Sequence, residues 1–180
     1  MGVNWGRMAW KPFRKPNQVF SLEHLHPFEF SVHLPERKEL PEQKVEILVG
    51  VGLHCFTRAV AEGDSKALRY FDDREERSFD EDRWKLSFRL RQIVESLPKR
   101  TRLGFAKHDN FVCVDLEDGV SYGVFFNMKM AGKTADTKEV LLVVQSAYAL
   151  DPGRRSPGEG AIGFNALLGH VLRGTRPRRP

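Results

Sequence analysis

The sequence predicts an α+β domain in which an antiparallel β-sheet meander packs on one long helix. An N-terminal strand elaboration precedes the meander and a short C-terminal helix closes it. Three observations carry this expectation. Strand-like runs recur in FVCVDLE, SYGVFFNMKM and EVLLVVQSAYAL. The first two are joined by EDGV, whose Asp-Gly pair favours a tight hairpin. The signals also fall in blocks, strands then helix then strands then helix, which argues against an alternating parallel sheet.

The elements follow in order. Residues 1–19 hold scattered aromatics and two prolines, and read as a basic N-terminal arm, either packed against the domain or a loose tail. Residues 20–173 form a single domain, and 174–180 a basic tail. A chain of 180 residues has room for one proper core. FEFSVHL alternates Phe28, Phe30, Val32 and Leu34 against polar partners, the period of a half-buried strand. PERKELPEQ is a polar, proline-bounded loop. KVEILVGVGLHCFTRAV is long and β-branched, with Gly50 and Gly52 marking a bulge, a bend or a close backbone approach. It reads as one long bent strand or as a pair.

SFDEDRWKLSFRLRQIVESL is the long helix. Ser78 and Glu81 have capping-box spacing, and Asp80 and Asp82 suit the positive end of the helix dipole. Trp84, Phe88, Leu90, Val94 and Leu97 form its apolar stripe, and Pro98 ends it. TRLGFAK is a short strand that leads into the meander. AGKTADT and DPGRRSPGEG are links. FNALLGHVLRG is the closing helix, with Gly174 as its stop.

Composition excludes several classes. Apolar residues make up 41% of the chain, with 13 Phe, which suits a packed core rather than general disorder. No run of about 18 apolar residues occurs, so no membrane span is expected. Residues 1–20 lack the apolar core of a signal peptide. Cys55 and Cys113 are too few for a disulfide framework, and each lies in an apolar run, as buried thiols do. A reducing cytoplasm fits this usage. There is no Gly-rich phosphate loop and no Cys/His zinc pattern, so no cofactor or metal is expected.

The net charge of +5 is unevenly spread: residues 1–19 carry +4 and residues 151–180 carry +4, leaving −3 for the middle. Within the middle, AEGDSKALRYFDDREERSFDED is acidic and RLRQIVESLPKRTRLGFAK is basic. That asymmetry suggests a side facing a polyanion and an opposite acidic side. Arg89, Arg91, Lys99, Arg100, Arg102 and Lys107 form the densest basic segment, and guanidinium groups bind phosphate bidentately. A solvated, mixed-charge surface is the plain alternative.

Candidate chemistry centres on the mouth of the meander. His108, in the loop KHDN, is the best-placed general acid/base of the six histidines. His24 and His26 lack a third metal ligand. A His54–Cys55 dyad is discounted, because adjacent strand residues point to opposite faces. Ser146 and Tyr148 share a face of the last strand, and both can donate hydrogen bonds to phosphate oxygens. Tyr122 with Phe126, and Phe125 with Lys129, share faces of the preceding strand, so one face can present rings beside a cation. The alternative is that these rings simply fill the core.

A helix followed by an antiparallel meander, basic residues at its entry and the hydroxyl-bearing strand LLVVQSAY resemble the barnase/colicin/RelE-type metal-independent ribonucleases of toxins and phage-defence effectors. The resemblance covers roughly residues 80–150. It implies RNA cleavage without a cofactor. His108 is then the acid/base, Arg100 the charge stabiliser, and Ser146 and Tyr148 the phosphate positioners. Arg89, Arg91, Lys99, Arg102, Lys107 and Lys129 supply nucleic-acid contacts. The first half of the chain has no counterpart in the compact members of that group. Two further readings stay open: a non-catalytic module binding nucleic acid or protein, and a subunit of a larger bacterial assembly. None of the three involves a membrane.

Overall fold

The computed structural model describes residues 9–36, 41–105, 110–117, 119–133, 138–151 and 160–177. In chain order the elements begin with a small hairpin, β1 (Phe13–Lys15) and β2 (Gln18–Phe20), then β3 (Phe28–Leu34) and β4 (Gln43–His54). A three-stranded sheet follows, from β5 (Thr57–Arg58), β6 (Arg69–Phe71) and β7 (Glu76–Phe79). Next come helices α1 (Glu81–Ser87) and α2 (Leu90–Ser96). The chain continues through β8 (Leu103–Phe105), β9 (Asn110–Asp115), β10 (Ser121–Lys133), β11 (Lys138–Ala149), β12 (Ala161–Ile162) and α3 (Phe164–Arg173). The architecture is α+β, mostly strands with three helices.

Seven strands form the main sheet, in the order β12-β8-β9-β10-β11-β4-β3. The meander β8 to β11 is antiparallel throughout, as expected. The junction to the first half is not. β11 pairs with β4 in parallel, from Lys138↔Val45 to Ser146↔His54. Parallel partners must be joined by a crossover, and here it is built from β5–β7, α1, α2 and β8–β10. Local alternation cannot reveal this, because both strands are apolar runs with no reading of direction.

One face of the sheet carries the core. Val45, Ile47, Val49 and Val51 of β4, Val140, Leu142 and Val144 of β11 and Tyr122, Val124 and Phe126 of β10 are buried there. Leu90, Ile93 and Val94 of α2 and Phe164, Leu167 and Leu168 of α3 close over them. The β1–β2 hairpin belongs to this core rather than to a free arm: Phe13 stacks on Phe79 at 4.1 Å, and Phe20 is 1% exposed. The alternate residues of β10 and β11 point to the other face, as sheet pleating requires.

The expected long helix is two short ones. Its two pieces, α1 and α2, have seven residues each, and Phe88 and Arg89 form a turn between them. Ser87 explains the break. Its hydroxyl donates to the Trp84 carbonyl at 2.6 Å and contacts His24 Nε2 at 2.7 Å. A serine bonded back to its own helix competes with the backbone ladder. Phe88, expected in the apolar stripe, instead stacks on His24 at 3.7 Å and stays 53% exposed.

The cap also differs. Asp80, not Ser78, caps α1 by accepting from Arg83 N at 2.9 Å. Ser78 is buried in β7, donating to Asp64 at 2.7 Å. The acidic stretch expected to lead into the helix is therefore a folded sheet, held by the Arg58–Asp64 fork with contacts of 2.7 and 2.6 Å. That fork, before the backbone and Ser78 bonds, holds the Asp64 carboxyl well below the usual carboxylate range. The closing helix and its stop match expectation, with Gly174 at φ +67° donating to the His170 and Val171 carbonyls.

Candidate functional site

Of the four residues expected to act together, the described structure does not assemble one group. His108 and Lys107 lie outside the described residues. Arg100 stands just before β8 on the helix-covered side. It lines a cleft of about 280 Å³ with Arg89, Ile93, Val114, Asp115 and Glu117. Two carboxylates beside two guanidiniums make that cleft mixed in sign, which is poor for holding phosphate. Ser146 and Tyr148 do not line it. They lie on the opposite face of the sheet, where Tyr148 stacks on Phe125 with ring centroids 5.3 Å apart.

The basic segment is similarly divided. Arg91 pairs with Glu95 at 2.9 Å and lies over the Phe28 ring at 4.9 Å. Lys99 and Arg102 are exposed, and Lys129 is exposed on the face opposite the helices. These cations do not form one row.

What the fold does bring together sits at the carboxyl ends of the parallel pair. Ser146 of β11 and His54, the last residue of β4, are register partners. The pairing depends on a bulge: Val144 pairs with Phe126 and Ser146 with Phe125, so Gln145 is the extra residue. The bulge lets Ala147 return to the core at 0% exposure while Ser146 and Tyr148 stay outside it. Phe125 and Phe126 split across the sheet, and Phe126 is the ring committed to the main core.

Past the end of β4, Arg83 of α1 fills the space beside Tyr148. Its Nη1 donates to the carbonyls of His54 at 3.0 Å and Thr57 at 2.9 Å. Its guanidinium carbon lies 4.9 Å from the centre of the Tyr148 ring. Among the described ion pairs, none neutralises it with a carboxylate within 4 Å. Burial lowers the Arg83 pKa, with the nearby Asp80 charge opposing. A half-desolvated cation held by carbonyls gains from an anion that approaches its free edge.

His54 is the histidine of this cluster. Its Nε2 lies 2.7 Å from Glu75 Oε1, in the turn between β6 and β7. The His54 bond is the largest influence that keeps Glu75 below its ordinary value, and Arg77 adds to it. An ionised carboxylate only accepts hydrogen bonds, so Nε2 carries the hydrogen and Nδ1 is the basic nitrogen of the neutral ring. Among the described residues no hydrogen bond occupies the Ser146 hydroxyl. Cys55, next to His54, is fully buried, and burial pushes its thiol up to about 12. Strand alternation is not what rules out a Cys55–His54 dyad: Cys55 lies in the turn after β4, and it is burial of the thiol that argues against the pair.

Sequence reasoning missed Arg83, Glu75 and the use of His54. Glu75 lies in a charge run that reads as a solvated surface, and Arg83 in the first turn of a helix. Neither has a spacing signal. Among the described residues no group of three His, Cys, Asp or Glu is placed to hold a metal ion, and no helix is long and apolar enough to cross a membrane.

This architecture and end-of-strand cluster define an α+β protein with a mixed sheet. The model of the YjaZ family matches residues 12–172, and the chain belongs to that family. The match runs from the β1–β2 hairpin to α3, so the first half of the chain is integral to the family fold. No curated protein and no solved structure matches the chain.

Proposed function

We propose that the protein acts on RNA by metal-independent cleavage, at the cluster of His54, Glu75, Ser146, Tyr148 and Arg83. The observation that carries this reading is their convergence at the carboxyl ends of β4 and β11. Such ends are where open sheets present ligand-binding groups. In this reading His54 takes the acid/base role expected of His108. Glu75 orients the ring. Its Nδ1 removes the 2′-hydroxyl proton, and that oxygen attacks the phosphorus. Arg83 offsets the charge that builds on the pentacovalent phosphate, and the Ser146 and Tyr148 hydroxyls position its oxygens. The bond to the 5′-oxygen breaks, that oxygen takes a proton from water, a 2′,3′-cyclic phosphate is left, and the His54 imidazolium returns its proton to water.

Labelled total RNA incubated with the parent protein in EDTA tests it, beside His54→Ala, Tyr148→Phe and Arg83→Met. Cleavage by the parent, reduced by about a hundredfold or more in His54→Ala, is expected for loss of a general acid/base. Equal cleavage by parent and His54→Ala overturns the assignment. No cleavage, with salt-sensitive retention of RNA, favours a second reading: a non-catalytic binding module. The outward side of β11 supports that second reading, because it sets the Tyr148 ring against Phe125 and Ser146 in register with Phe125.

A further inference from the structure

The two edges of the main sheet are managed very differently. At one edge stands β12, only two residues long. At the other stands β3, seven residues long, paired to β4 without a bulge from Phe28↔Val49 to Leu34↔Gln43. Among the described residues nothing pairs with its outer side. A long, regular, lysine-free edge is a template for another strand unless something blocks it.

The sequence of that edge is complementary to itself. We propose that the chain forms a two-fold symmetric dimer in which the free edge of β3 pairs antiparallel with the same strand of a second copy, centred on Ser31. In that register Phe28 faces the second copy's Leu34, and Phe30 faces its Val32, all on the core side of the sheet. Glu29 faces the second copy's His33 on the other side, twice by symmetry. Ser31 meets its own counterpart on the axis. The burial of β3 fits both faces. Glu29, Ser31 and His33 are exposed, Phe28 and Phe30 are only partly covered, and Val32 and Leu34 are already buried, so each core-side pair sets a part-covered ring beside a core aliphatic side chain.

The register is selective. Moving the centre to Phe30 sets His33 against Pro27, and moving it to Val32 sets Glu29 against Pro35. Only the Ser31 centre uses all seven residues, with Pro27 and Pro35 lying just outside. A proline has no N–H to give to a ladder, so the two prolines bound the pairing. An isologous contact of this kind closes on itself. With the opposite edge reduced to two residues, assembly stops at two chains. Among the described residues the carboxylate near His33 is Glu42, at 3.9 Å, which competes weakly with the intermolecular Glu29.

Sedimentation equilibrium of the full chain tests this, with charge exchange as the control on register. The parent is expected at twice the chain mass of 20.7 kDa. Glu29→Lys and His33→Glu each place unfavourable groups opposite one another at two symmetric sites, and each weakens the dimer by about tenfold. The double variant sets a cation opposite an anion at both symmetric sites and recovers the dimer. Both positions are exposed, so circular dichroism of each variant is expected to match the parent. A parent that is monomeric at all concentrations overturns the proposal. So do single variants that dimerise like the parent, and a double variant that fails to recover.

Discussion

Gly52 is where the site and the sheet depend on the same few tenths of an ångström. A β-carbon there would stand 2.9 Å from the Gln145 carbonyl oxygen and 3.0 Å from that of Val144. Both atoms are main chain in the neighbouring strand, at the bulge that sets Ser146 and Tyr148 in place. Neither can swing aside as a side chain would. Ordinary contact begins at 3.4 Å, so β4 and β11 must part by about half an ångström in Gly52→Ala. Strain of this kind in a packed region costs roughly 1–3 kcal/mol. The smaller freedom of the unfolded alanine chain offsets about 0.4–1 kcal/mol. The net expectation is a loss of about 1–2 kcal/mol, which lowers a urea midpoint by roughly 0.5–1 M at a typical slope. Gly132→Ala is the internal comparison. Its new β-carbon meets the Glu139 carboxylate at 3.0 Å, the mobile end of a side chain, and costs less than about 0.5 kcal/mol. If Gly52→Ala unfolds at the parent's midpoint, or if Gly132→Ala is the more damaging, the close approach of backbones at the bulge is not what holds this end of the sheet.

Two further perturbations read other parts of the molecule. Tyr122 is fully buried, its hydroxyl has no hydrogen-bond partner among the described residues, and burial pushes its phenol above the ordinary range. Tyr122→Phe removes an unsatisfied group at nearly constant shape and raises stability by about 1 kcal/mol, read as a higher thermal midpoint; a lower midpoint shows that the hydroxyl is bonded in solution. His24 is held neutral by burial first and by His26 second, which lower its pKa from 6.5 to about 4. The unfolded chain therefore binds the extra proton between those values, and stability is full above pH 6.5 and falls as pH drops toward 4. His24→Phe keeps a ring against Phe88 without the titration, and its urea midpoint is expected to vary less across that window; an unchanged pH slope assigns the loss to other groups.

The parts of the fold legible in the sequence are those decided within a few neighbours. β3 was read to its end residues, because Phe28 to Leu34 alternate cleanly and prolines stand outside. The turn before Val120 was legible from Gly119, which adopts φ +80°. The stop at Gly174 was legible for the same reason. Where the reading failed, a distant partner decided the outcome. The long helical stripe is sound as periodicity, yet Ser87 bonds to His24 from the other end of the domain and the helix divides. Asp80 outcompetes Ser78 as cap because Ser78 is drawn into a sheet that the charge run concealed.

The candidate site shows the same division more sharply. Ser146 and Tyr148 were found because their two-residue spacing fixes a shared face. Their neighbours could not be found that way, because His54 reaches them only through a parallel ladder and Arg83 only by crossing past the end of β4. That ladder is set in register by matched apolar residues, Val140 against Ile47, Leu142 against Val49 and Val144 against Val51. A shift of one residue would turn the core set outward, so the core fixes which residues end the two strands side by side. Packing and chemistry are thus specified by the same pairing. Variants in the β4–β11 core that change register are expected to scatter the cluster, whereas those that only thin the core leave it assembled.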